Sequence, residues 1–166
     1  QLGPHGLIFN PVNNRVYTTN VESKTVTVID AVNRSILGNI GPFTADALGI
    51  AVNSTTNKIY VGTAFGKKMV VIDAGGGAFG TVSTEINIGR HVLEVAVDAG
   101  RNRVYASSQT LPYSVAVIDG ANDTLLGFHP VGVCPWGVAY DSIRDRLYVV
   151  NQGEGTVTVL NANQLP

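Results

Sequence analysis

Few side chains in this sequence stand where they could do chemistry together. The densest group is Arg90-His91 with Glu94. His5 and Trp136 occupy related places earlier and later in the chain. Two imidazoles and a carboxylate are the residue types that hold a metal ion or orient a water. Metal centres, however, want ligands at close and regular spacing, and none occur here. The competing reading is a set of solvated loop residues. His129 lies in a different segment and adds nothing to the group. The glycine-rich run Gly75–Gly80 invites comparison with a phosphate-binding loop. Such a loop needs Lys-Ser/Thr after the glycines and a helix N-terminus behind it. Thr81-Val82-Ser83 supplies no lysine and leads into a strand, so the run reads as a flexible hairpin loop. Cys134 sits beside Pro135-Trp136, where apolar neighbours disfavour the thiolate, and reads as a packed thiol. Ser107, Ser108 and Asp46 have no partner that spacing can place. No catalytic set, metal centre or cofactor is expected.

The elements that must position these residues are legible, because one pattern is written four times. Gly49-Ile50-Ala51-Val52-Asn53 is followed by a polar turn and then Lys58-Ile59-Tyr60. The same order runs from Gly6 to Tyr17, from Glu94 to Tyr105 and from Gly137 to Tyr148. The tyrosines recur at intervals of 43, 45 and 43 residues. A second marker keeps step: Ile29-Asp30, Ile72-Asp73, Ile118-Asp119 and Leu160-Asn161. A period of about 40–45 residues carrying several short strands is the signature of propeller blades. Within the first repeat the strands fall at 6–10, 15–19, 25–29 and 35–40, joined by short turns of Asn, Asp and Pro that mark antiparallel hairpins. No helical periodicity is sustained, and no helix is expected.

The third strand of each repeat is mostly apolar rather than alternating, as in Met69-Val70-Val71-Ile72 and Val115-Ala116-Val117-Ile118. A sheet covered on both faces gives that pattern, and each propeller blade packs between two others. A two-sheet sandwich would leave its outer faces polar. The expected fold is therefore an all-β propeller of four-stranded antiparallel blades, with blade 1 at 4–43, blade 2 at 44–89, blade 3 at 90–132 and blade 4 at 133–166. The last blade lacks its outer strand, because the six residues after Leu160 must also make a turn. Its third strand should present an unpaired edge, and the outer faces of the first and fourth blades should seek cover. The array reads as cut at both ends: an oligomer, for example two chains head to tail in an eight-bladed ring, or part of a longer propeller.

Composition narrows the function classes. Hydrophobic residues make up 45% and charged residues 14% of the 166, against roughly 25% charged in average soluble domains, which suits a repeat protein needing charge only on its loops. The formal net charge is −1 with no basic stripe, so nucleic-acid binding through phosphate neutralisation is not expected. No apolar run approaches the ~18 residues of a membrane span. The single cysteine allows no intrachain disulfide. Three Asn-x-Ser/Thr sequons begin at Asn33, Asn53 and Asn122, where plain turn chemistry is the simpler reading. The opening Gln1-Leu2-Gly3-Pro4, without an initiator Met, implies a removed leader or a piece of something longer.

At the tyrosines the sequence resembles the YVTN family of β-propeller repeats. The tetrads are Tyr17-Thr18-Thr19-Asn20, Tyr60-Val61-Gly62-Thr63, Tyr105-Ala106-Ser107-Ser108 and Tyr148-Val149-Val150-Asn151. The first and last are close to the motif, and Glu94 departs from the glycine that opens the other repeats. The resemblance implies an extracytoplasmic protein, secreted or on the cell surface, such as the surface-layer proteins of archaea and bacteria, without implying one activity. The leading expectation is a non-catalytic binding or structural module whose loops contact protein, glycan or further copies of the chain. The alternative is a hydrolase or lyase at the channel mouth. That alternative uses His91, Glu94 and His5, and the candidate ligand-binding residues at the mouth are His5, Arg90, His91, Glu94 and Trp136.

Overall fold

The computed structural model describes residues 2–166 and arranges them as four antiparallel sheets in chain order. The first holds β1 (Pro4–Asn10), β2 (Arg15–Asn20), β3 (Thr25–Asp30) and β4 (Ser35–Ile40); the second β5 (Ala47–Asn53), β6 (Lys58–Thr63), β7 (Lys68–Asp73) and β8 (Thr81–Asn87). The third holds β9 (Val95–Asp98), β10 (Arg103–Ser108), β11 (Ser114–Asp119) and β12 (Thr124–Pro130). The fourth has three strands, β13 (Pro135–Asp141), β14 (Arg146–Asn151) and β15 (Thr156–Asn161), as its missing outer strand predicts. One departure follows β15: Ala162–Gln164 form a single 3₁₀ turn where no helical residue is expected. This turn brings Ala162 and Leu165 back against the joint between the third and fourth sheets.

The turns explain the repeat. The last residue of each first strand caps the turn that follows, as its side-chain oxygen accepts backbone N–H groups two or three residues on. Asn10 takes the N–H of Val12, Asn53 those of Thr55 and Thr56, Asp98 those of Gly100 and Arg101, and Asp141 those of Ile143 and Arg144. Each turn ends on a left-handed residue, Asn14, Asn57, Asn102 or Asp145, at φ between 53° and 56°. Asn and Asp tolerate that conformation better than other side chains. The fourth tetrad residue works likewise one hairpin on. Asn20 Nδ2 donates to Thr25 Oγ1 and Thr27 Oγ1, and Asn151 Nδ2 to Thr156 Oγ1 and Thr158 Oγ1, tying the second strand to the third. Thr63 Oγ1 donates to the Lys68 carbonyl at 2.7 Å in the second blade.

Packing runs from blade to blade rather than within blades. One apolar cluster joins the first sheet to the second around Tyr17, Val26, Val28, Ile59 and Ile72. A second joins the second to the third around Tyr60, Met69, Val71, Val104 and Ile118. A third joins the third to the fourth around Tyr105, Val115, Val117, Leu147 and Val149. Among the described residues no such cluster joins the fourth sheet back to the first, so the array is an open arc. Tyr17, Tyr60 and Tyr105 are buried at the three joints. The first strands β1, β5, β9 and β13 stand side by side along the arc.

The basic residues opening the second strands divide two ways. Lys58 Nζ meets Asp123 Oδ2 at 2.7 Å in the next blade and Arg103 meets Asp119 at 3.5 Å, whereas Arg15 and Arg146 donate to the carbonyls of Ala78 and Asp145. The glycine-rich loop also corrects expectation, being no free hairpin. Its Ala74 carbonyl accepts Asn13 Nδ2, its Ala78 carbonyl accepts Arg15, and its Phe79 ring fills the space that the missing side chain of Gly38 leaves open. The loop clasps the first blade to the second.

Candidate functional site

His5 lies in β1, Glu94 immediately precedes β9, and the two meet across the second blade, with His5 Nδ1 4.0 Å from Glu94 Oε1. Their approach depends on Gly49, which lies between them. A side chain there would collide with the Leu93 carbonyl and stand 3.0 Å from Glu94 Oε2. The Gly49 N–H donates to that Leu93 carbonyl at 2.7 Å, fixing the spacing of blades two and three. Glu94 is about a third exposed, yet burial is the leading influence on its carboxyl and raises its pKa, with the His5 charge pulling the other way. The pair is thus one imidazole and one carboxyl with an elevated affinity for its proton, at the end of the first strands where the blade connections gather.

The other expected site residues point elsewhere. The Arg90 guanidinium lies 4.0 Å over the Phe128 ring and donates to Ser114 Oγ and the Pro112 carbonyl. It fastens the connection after β8 to the long loop before β11. The His91 ring sets its edge against Phe65 at 5.1 Å, and its backbone N–H donates to Thr110 Oγ1. The Trp136 carbonyl accepts the Ser107 hydroxyl, while its ring is partly exposed on the fourth blade. Ser107 also accepts the Glu94 N–H at 3.1 Å, so this serine is a bridge between blades and holds no base beside its hydroxyl. Ser108 accepts the Thr110 N–H, and Asp46 faces Lys24 at 3.9 Å. Cys134 is half-buried, and its thiol lies 3.7 Å from the Tyr113 hydroxyl, a contact that raises the phenol's pKa. Among the described residues no group of three or more His, Cys, Asp or Glu stands close enough to hold a metal ion. The geometry supports proton exchange and hydrogen bonding by His5 and Glu94.

A second polar group, at the opposite end of the first strands, escapes sequence reasoning. Arg101 grips Asp145 through two bonds of 2.7 Å, Asp98 through another of 2.7 Å and the Tyr140 hydroxyl at 3.1 Å. These residues border an open cleft of about 530 Å³ between blades three and four. Arg101 holds the Asp145 carboxyl below the usual carboxylate range, and burial pushes the Tyr140 phenol up to about 12. The donors and acceptors satisfy one another, so the group works as a clamp between blades. The one signal for it in the sequence is Asp145, a charged residue where the other three turns place asparagine.

Of the sequon residues, Asn53 is wholly buried and donates to Asn102 Oδ1. Asn33 and Asn122 are exposed and donate to Asp30 and Asp119 within their own turns.

No family model and no curated protein matches this sequence. Solved structures do match in fold. The β-propeller domain of Cps50 (Swd1) from Myceliophteria thermophila aligns at a TM-score of 0.76 and 11% identity, over 95% of this chain and 50% of that one. A nidogen/laminin complex gives 0.78 and 18% over 97% and 61%, and hydrazine synthase from Kuenenia stuttgartiensis 0.72 and 15% over 96% and 49%. The chain spans about half the length of these structures. Repeat, sheet order and likeness agree that the fold is a β-propeller array of four blades, the last with three strands.

Proposed function

We propose that this chain is a non-catalytic interaction module of the YVTN kind, working outside the cytoplasm on a cell surface or in a surface layer. Its contact surface is the blade-connection end, where His5, Glu94 and the exposed part of Trp136 are available to a partner, with Arg90 and His91 shaping the loops around them. The carrying observation is where the reactive side chains go. Arg90, Arg101 and Ser107 are each engaged in joints between blades or loops, leaving one imidazole–carboxyl pair open. A rigid sheet array with polar loops at one end is a platform, and propellers commonly serve as platforms for protein contacts. One of the matched structures is itself a complex, that of nidogen with laminin. Partners of this chain are proteins or surface glycans, or further copies of itself.

The test is binding of labelled chain to isolated bacterial and archaeal cell envelopes, beside a panel of chromogenic ester, phosphate and glycoside substrates. Saturable envelope binding that the His5→Ala/Glu94→Ala double variant loses, with no turnover, is the expected result. Turnover abolished by Glu94→Gln would instead establish the hydrolase or lyase reading.

A further inference from the structure

The fold treats the three Asn-x-Ser/Thr sequons in two ways. Such a tripeptide is the acceptor motif for an N-linked glycan, a bulky group that needs an accessible surface segment. Asn53 is wholly buried and donates across a blade joint to Asn102 Oδ1 at 2.7 Å. A sugar on its Nδ2 would have to part blades two and three. Asn33 and Asn122 are exposed, in equivalent turns between the third and fourth strands of the first and third blades. Their hydroxyl partners Ser35 and Thr124 are exposed too and open β4 and β12, the outermost strands of their sheets. Among the described residues no strand pairs beyond either, so the whole motif is open from the rim.

The turn bonds of these two asparagines leave room for a glycan. Asn33 Nδ2 donates to Asp30 Oδ2 at 2.8 Å, and Asn122 Nδ2 to Asp119 Oδ2 at 3.0 Å. A primary amide nitrogen carries two hydrogens, so one holds the carboxylate while the other has no protein acceptor among the described residues. Replacing that second hydrogen with a sugar keeps the turn. The residue after each asparagine is left-handed, Arg34 at φ 56° and Asp123 at φ 53°, and ends the turn at the hydroxyl residue. Both turns are anchored to those that follow the first strands. The Ala31 N–H donates to the Asn14 carbonyl at 3.0 Å and the Gly120 N–H to the Asn102 carbonyl at 2.8 Å. They therefore lie at the end of the blades opposite to His5 and Glu94.

We propose that Asn33 and Asn122 are acceptor sites for N-linked glycans and that Asn53 is not. In the transfer, Nδ2 forms a bond to the anomeric carbon of a glycosyl group carried on a polyprenyl phosphate. The bond from that carbon to the phosphate oxygen breaks, the phosphate leaves with the electron pair, and Nδ2 gives up one proton to a base of the transferase. Glycans at these positions stand on the rim of two blades and leave the blade-connection end bare for a partner. The inference rests on the extracytoplasmic reading, since the motif is used on exported chains, but not on what the contact surface binds.

The test gives the purified, folded chain and a polyprenyl-linked oligosaccharide to an oligosaccharyltransferase chosen because it glycosylates all three sequons as free peptides. Peptide mapping by mass spectrometry should find the glycan on Asn33 and Asn122, with Asn53 unmodified. Asn33→Gln and Asn122→Gln should each remove one glycan, and the double variant both. Ser35→Ala and Thr124→Ala should do the same while keeping the asparagine and its bond to the aspartate, which separates recognition of the motif from stability of the turn. Circular dichroism and melting show that each variant is folded. A folded chain left unmodified at Asn33 or Asn122 would overturn the proposal, as would a glycan on Asn53 at the level of the exposed sites. Envelope binding is measured on the unglycosylated chain, so its outcome judges the interaction reading alone.

Discussion

Strands β11 and β15 differ little in sequence and almost completely in environment. Ser114-Val115-Ala116-Val117-Ile118-Asp119 is buried along nearly its whole length. Thr156-Val157-Thr158-Val159-Leu160-Asn161 is mostly exposed on one face and half-buried on the other. Both pair in the same register with the second strand of their sheet, so local structure is not the difference. β11 lies between blades two and four and has β12 on its outer edge, whereas β15 has the third blade on one side and no strand beyond it. An apolar third strand thus records an expectation of neighbours, and burial is conferred by the blade that arrives.

The comparison is broken most severely at paired positions. Val117→Asp should cost about 4 kcal/mol or more, since it places an unpaired carboxylate where Val117 has no exposure. Val159→Asp should change the stability of the dilute chain by no more than about 0.5 kcal/mol, as surface changes do. Urea denaturation of both variants reads the contrast directly. Equal losses would mean that the outer face of β15 is as enclosed as β11.

The joint between blades two and three can be weakened through its ion pair. Lys58 and Asp123 are mostly buried, and Lys58 also donates to the Gly120 carbonyl at 3.1 Å. Lys58→Met should cost about 1–2 kcal/mol, between the values for exposed and fully buried pairs. Asp123→Asn, which keeps an acceptor for the lysine, should cost less in the same denaturation series.

The tyrosines sharpen the comparison further. The Tyr17 hydroxyl accepts Asn13 Nδ2 at 2.9 Å, while the buried Tyr60 hydroxyl makes no well-formed hydrogen bond, the neighbouring Asp123 carboxylate lending it at most a weak one. Burial and the Asp123 and Asp119 carboxylates hold the Tyr60 phenol protonated far above its ordinary range. Tyr17→Phe should therefore cost about 1 kcal/mol, and Tyr60→Phe should be neutral or slightly stabilising. A loss of more than ~3 kcal/mol at Tyr60 would reveal a buried hydroxyl network in its place.

The smallest effect is a pH dependence at the His5–Glu94 pair. The folded chain raises the pKa of Glu94, so the folded state holds its proton more tightly than the unfolded one. The resulting stability is fully present below the ordinary value of 4.5 and is lost as pH rises through the folded value. Glu94→Gln should then match the native chain at acidic pH and melt above it near neutrality. Melting curves from pH 4 to 7 would show the gap opening with pH, and a gap that closes would reverse the assigned direction.

Much of the fold is legible because its determinants are local and repeated. Asn10, Asn53, Asp98 and Asp141 cap turns through their own backbone, a bond between residues two or three apart that sequence displays directly. The candidate site is less legible. Arg90 and His91 adjoin Glu94 in sequence, but their side chains diverge, one onto Phe128 and the other onto Phe65. His5 lies far from Glu94 in the chain and yet meets it, because three successive first strands stand side by side and Gly49 leaves room between them.

By itself the sequence determined the repeat, the hairpins and the apolar third strands, all of which follow from residues within one 43–45-residue unit. Only the tertiary structure decided that the glycine-rich loop clasps the first blade and that Arg101 clamps the third to the fourth. These outcomes depend on which blade stands beside which and on how closely two backbones approach. No single repeat encodes them, because each is a property of the space between two.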